Sequence, residues 1–304
     1  MTPIGLNIQQ VQSVDELIVV AADAMAAHWA IYEKCGVLHR DISTNNILLC
    51  RNGSTGTVNG MLIDYDCALR MTAADSRNLR PDMTGTLPFM SIGNLKNSSI
   101  DRTVLDDWES IIYVLCWMGT IGINAKDQEL CKAMRAVDKT TVHIYKWREG
   151  SNIEIAEAKR NDMKSFINFY DRIVSRFYVD GSYRPLQRLV TQLWYRLMNN
   201  PMVSKRAHGT TAQIDDSMFG MDNLNIQQQD TRTDYWDSKC SEKVTDPFVR
   251  RVACADNIAK SLLQVMSTAR KEAMDRMYGC VAGTPDQPMD EGDPKDGTHY
   301  GDQE

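Results

Sequence analysis

"VLHRDISTNNILLC", residues 37–50, decides how this chain is read. The apolar pair Val37-Leu38 runs into His39-Arg40-Asp41, Asn46 stands five residues after the aspartate, and Ile47 opens a second apolar run. Short apolar runs on either side of a charged, polar stretch read as two short buried strands carrying a loop between them. A loop fixed at both ends by strands is where binding and catalytic groups are commonly mounted.

Upstream, Ser13-Val14-Asp15-Glu16 fits a capping box. Leu17, Val20, Ala24, Ala27 and Ile31 then recur at spacings of three and four, one face of a helix that Gly36 can end. Downstream, 46–50 and 60–63 read as strands. "RNGSTGTVNG", residues 51–60, reads as a hairpin turn and not a phosphate loop, since no helix follows to present its N-terminus. Residues 67–104 read as polar and irregular. "DDWESIIYVLCWMG", residues 106–119, is apolar on nearly all sides and predicts a buried helix. Helical periodicity returns over 154–178 and 184–199, with Phe166, Phe169, Trp194 and Tyr195 as aromatic anchors. Residues 201–244 are polar and weakly periodic, a flexible insert or linker. A helix with Pro247 in its first turn is predicted over 245–279, and 280–304 is an acidic tail rich in Gly and Pro, expected to be disordered.

Composition narrows the function classes. The 304 residues are 43% hydrophobic and 24% charged with net charge −6, and no basic stripe points to nucleic acid. Eight cysteines form no C-x-x-C, and His is scarce, which argues against zinc. The first residues have no apolar signal-peptide core, so the chain reads as intracellular, cytoplasmic or nuclear, with reduced and mostly buried cysteines. The longest apolar run, 111–118, is too short to span a bilayer, and no membrane association is expected.

Three elements occur in order: His39-Arg40-Asp41 with Asn46; Ile63-Asp64-Tyr65-Asp66 at a strand end; and Gly85-Thr86-Leu87-Pro88-Phe89-Met90, followed by Asp107-Trp108-Glu109-Ser110 in the buried helix. Together they resemble the C-terminal lobe of a protein kinase. The variants HRDIS, LIDYD, TGTLPFM and DDWES are similar to the fungal-type protein kinase family, and SIGNL has some likeness to the casein-kinase-one group. The resemblance spans about residues 13–200.

It implies a mainly α fold with a small β-hairpin element, a kinase-like C-lobe over 1–200. Its parts would be a catalytic loop at 37–50, a metal-binding strand end at 60–68, an activation segment at 64–95 and the buried helix at 106–119. The implied activity is transfer of the ATP γ-phosphate to a protein serine or threonine, with ATP and Mg²⁺ as cofactors. The protein substrate and any regulatory protein are not specified. By resemblance Asp41 accepts or orients the hydroxyl proton, and Asn46 and Asp64 hold Mg²⁺. Arg40 braces the activation segment, His39 is scaffold near Tyr65, Thr86 contacts Asp41, and Asp107 takes backbone amides of the loop. Thr72, Ser76 and Thr84 are candidate regulatory hydroxyls.

Departures accompany the likeness. Ser43 stands where many such kinases carry a lysine, Asp66 replaces a glycine, and Gly93 stands where a glutamate would form an ion pair. No glycine-rich loop or strand lysine precedes Ser13, so the N-lobe is absent from this reading, and the chain alone is expected to bind ATP weakly or not at all. Two alternatives stay open. One is a non-catalytic, pseudokinase-like binding module. The other is a small-molecule phosphotransferase, against which Arg40 and TGTLPFM argue, since that class usually has His-Gly-Asp.

Overall fold

The computed structural model describes residues 5–71, 84–96, 102–123, 143–177, 181–198 and 247–279. The expected insert at 201–244 and tail at 280–304 lie outside them. The described chain is mainly helical.

Helix α1 (Val14–Cys35) starts on Ser13, whose Oγ accepts the Glu16 amide at 3.2 Å, and stops at Gly36, φ 66°. Only half of the predicted capping box forms. The Glu16 carboxylate turns instead to the Gln12 amide at 2.7 Å and to both terminal nitrogens of Arg51, at 2.6 and 2.7 Å. A bidentate, charge-assisted partner outcompetes a single backbone amide.

A small antiparallel sheet lies on α1. Its strands are β1 (Leu6–Asn7), β3 (Ile47–Arg51) and β4 (Val58–Leu62) in the order β1-β3-β4, with Leu49 opposite Gly60 and Leu48 opposite Met61. Gly60 permits this contact. A Cβ there would lie 2.0 Å from the Val20 carbonyl oxygen, while its amide donates to Asp23 Oδ2 at 3.0 Å. The β3–β4 connection is the predicted hairpin turn, with Gly56 at φ 66° and its amide on the Asn52 carbonyl at 2.8 Å.

β2 (Val37–Leu38) pairs antiparallel with β5 (Leu69–Arg70), and α2 (Ile92–Leu95) follows a 3-10 turn at Leu87–Phe89. Residues 67–104 are therefore not wholly irregular. Elements of two to four residues leave no periodic signal, and tertiary partners create them. The Met71 amide, for example, donates to the Gly36 carbonyl at 2.7 Å.

Helix α3 (Val104–Ile121) extends past the predicted 106–119, because Thr103 and Asp106 form a full capping box before it. Trp108, Ile111, Ile112, Tyr113, Val114 and Leu115 have no exposed surface, as a helix apolar on all sides requires. The predicted 154–178 helix is broken into α4 (Asn152–Met163), α5 (Phe166–Arg172) and a 3-10 turn, since Ser165 caps the Asn168 amide at 3.2 Å and starts a new helix. α6 (Arg184–Met198) and α7 (Pro247–Tyr278) complete the described core.

α7 runs antiparallel along α1: Tyr32 Oη donates to Asp256 at 2.8 Å, Arg270 Nε to Asp23 at 2.5 Å, and Arg276 to Asp15 at 2.8 Å. Ala255, Leu262 and Met266 enter the common apolar core. Among the described cysteines only Cys50 and Cys116 are buried. Cys35, at the end of α1, is exposed, which corrects the expectation of mostly buried thiols. No helix among the described residues is long and apolar enough to cross a membrane.

Candidate active site

The loop after β2 is fixed by the strands around it. The Ile63 amide donates to the Asn46 carbonyl at 2.9 Å, and the His39 ring spans to the Ile63 carbonyl, also 2.9 Å. His39 Nδ1 accepts the Asp41 amide at 3.3 Å, so its Nε2 carries the proton given to Ile63. The imidazole is fully buried, with its centroid 4.5 Å from that of Tyr65.

Arg40 (φ 71°) and Asp64 (φ 65°) are the only non-glycine residues with positive φ among the described residues. Such backbone costs about 1–3 kcal/mol and persists only where neighbours enforce it. At Arg40 the enforcing group is Asp107. Its Oδ1 accepts the Arg40 amide at 2.9 Å, and its Oδ2 accepts the His39 amide at 2.8 Å and lies 2.7 Å from His28 Nε2. Burial alone would raise the Asp107 carboxyl, but His28 and the two amides outweigh it and hold it below its ordinary value.

Asp41 is gripped from two sides. Its Oδ1 accepts both the amide and the hydroxyl of Thr86, each at 2.9 Å. Its Oδ2 accepts Asn46 Nδ2 at 3.1 Å, and the same nitrogen donates to the Asp41 carbonyl at 2.8 Å. A carboxylate offers about four acceptor positions. Three are taken, which leaves room on Oδ2 for one more donor. Gly85, at φ 120°, lets the Thr86 segment come this close, since a Cβ there would sit 3.0 Å from the Arg40 carbonyl oxygen.

Asp64 follows Ile63, the residue that bonds both His39 and Asn46, and its carboxylate is exposed. Asn46 and Asp64 are hard oxygen donors. That set fits Mg²⁺, which needs few protein ligands when phosphates and water supply the rest. No cluster of three or more His, Cys, Asp or Glu suited to a metal occurs among the described residues. Ser43 is buried and its Oγ accepts the Asn45 amide at 3.3 Å, so it shapes the loop's turn. Thr84 has a buried hydroxyl with no hydrogen-bond partner; Thr72 and Ser76 lie outside the described residues.

The 87–92 segment is held by groups that sequence reasoning missed. Glu109 accepts the Ile92 amide at 2.8 Å and the Tyr113 hydroxyl, and Ser91 Oγ donates to Asp106 at 2.7 Å. Lys159, fully buried on α4, donates to the Met90 carbonyl at 2.6 Å and the Leu87 carbonyl at 3.3 Å, with its Nζ 4.1 Å from the Tyr113 ring centroid. Burial pushes Glu109 up to about 7 and Lys159 down to about 7, each opposed by the other's charge. A signal existed: Lys159 stands four residues after Ile155 and four before Met163, on the apolar face of its helix.

No curated protein matches the chain. Residues 1–119 match the family model described as Fungal protein kinase, a span that carries His39, Arg40, Asp41, Asn46, Asp64, Thr86 and Asp107. Over those residues the chain is similar to the fungal protein kinase family.

Proposed function

We propose that this site is the catalytic-loop side of a protein serine/threonine kinase, carried on a kinase-like C-lobe. One observation carries the proposal: Asp41 is oriented by Thr86 and Asn46 on a loop whose strained backbone Asp107 enforces. Phosphoryl transfer asks the protein mainly for positioning and charge neutralisation. A substrate hydroxyl would donate to the remaining acceptor position on Asp41 Oδ2, which aligns its oxygen for attack. Strong basicity is not required, because the transition state is loose. Asn46 and Asp64 would hold Mg²⁺, which neutralises phosphate charge when bound. Arg40 would brace the 64–95 segment.

The test uses millimolar Mg-ATP. The chain is expected to pass label slowly to serine or threonine of a protein acceptor. Asp41→Asn should lose about 10²-fold or more of that rate with its melting temperature kept. Equal rates in the two proteins would defeat the assignment of Asp41. Label appearing only on small amine alcohols would favour a small-molecule phosphotransferase. Binding of Mg-ATP without any transfer would favour a non-catalytic module.

A further inference from the structure

Lysine is almost never fully buried unless paired, yet Lys159 has no exposed surface. Its Nζ spends its donors on the carbonyls of Leu87 and Met90, against the Tyr113 face and with the Trp147 ring centroid at 5.9 Å. Those carbonyls belong to the turn that ends at Asp41. The amides of Phe89 and Met90 donate to the Thr86 carbonyl at 2.8 and 3.1 Å, and Thr86 donates twice to Asp41. On the far side Glu109 takes the Ile92 amide. The segment is therefore clamped at both ends by a buried cation and a buried carboxylate.

We infer that Lys159 is a positioning residue for the proposed phosphotransferase site: by holding the Leu87 and Met90 carbonyls it fixes Thr86 against Asp41. The functional part rests on the kinase reading; the clamp itself does not. Met90, Ile92 and Leu95 also pack with Ile155 and Ala156 in an apolar cluster separate from the main core. α4 and the segment thus form one unit, which Lys159 joins to the catalytic loop. An apolar residue at 159 would leave two carbonyls without their donor and Glu109 without its counter-charge.

The test is hydrogen exchange on the full chain carrying Lys159→Met, with label transfer measured alongside. Peptides covering 85–92 should exchange about tenfold faster or more, while α1 and α7 keep their rates. In transfer, kcat should fall about tenfold with the KM for Mg-ATP held within about twofold, and Lys159→Arg should recover part of it. Unchanged exchange at 85–92, equal loosening of α1 and α7, or a rise in KM alone would overturn the inference. The unaltered chain supplies a second reading should the variants not fold. In denaturant-dependent native exchange, 85–92 and 152–163 should open at one common free energy. Opening of 85–92 at a lower free energy would overturn the clamp. An intact clamp in a chain that transfers no label would instead overturn the kinase reading.

Discussion

Two loops meet at Asp41, and neighbouring carboxylates on α3 hold them in different ways. The 39–46 loop hangs on Asp107, whose oxygens take two backbone amides and His28. The 85–92 segment hangs on Glu109 and, across it, Lys159. Both carboxylates are buried, yet one is held below its ordinary value and the other is pushed up to about 7. Desolvation penalises both; His28 and two amides outweigh it at Asp107, whereas at Glu109 the Tyr113 hydroxyl, the Ile92 amide and Lys159 do not, and the Asp106 charge adds to the rise. The first loop is anchored by a settled charge, the second by a pair poised near neutrality.

The comparison breaks most visibly at Asp107. Asp107→Ala leaves the His39 and Arg40 amides and His28 unpaired in the interior, and should cost about 3–5 kcal/mol in urea unfolding. The positive φ of Arg40 then loses the carboxylate that holds its amide. A loss under about 1 kcal/mol would show that other contacts hold the loop. Gly60→Ala attacks the frame beneath that loop and spares the second one. Overpacking against the Val20 carbonyl should cost about 1–3 kcal/mol and leave exchange at 85–92 unchanged.

Titration sharpens the contrast further. The folded Glu109 value, about 7, lies above its ordinary 4.5, so between them the folded chain holds the extra proton and stability falls as pH rises. Lys159, about 7 against 10.5, has the reverse sign, and its contribution rises with pH over that interval. Asp107 contributes stability present above 3.8 that is lost as pH falls through its lower folded value. Glu109→Gln should therefore remove the decline between pH 4.5 and 7 in urea midpoints and leave the acid limb in place. The smallest effect is expected at the rim. Arg276→Ala, breaking a partly exposed ion pair with Asp15, should cost about 0–1 kcal/mol and diminish further in high salt.

Much of the frame was legible in the sequence for local reasons. Ser13, Gly36, the strands flanking 51–60 and the all-apolar 106–119 run each carry a short-range signal of cap, stop, turn or period. The loop residues were legible as a set because HRD, the asparagine and DYD keep their order. What escaped depends on distance in sequence. Arg51 takes Glu16 from 35 residues away, Lys159 reaches Met90 from 69 residues away, and α7 returns to α1 through Asp256 and Arg270. β5 and α2 were missed because so few residues cannot display a period.

On the proposed reading this loop receives a metal-bound nucleotide at Asn46 and Asp64. Paramagnetic Mn²⁺ in place of Mg²⁺ tests this directly. With millimolar Mn-ATP, the backbone amide resonances of Asn46 and Asp64 should broaden first. Asp64→Asn, which tolerates the positive φ at that position, should abolish the effect. Broadening centred away from residues 39–46 and 63–66, or none at saturating Mn-ATP, would contradict the account.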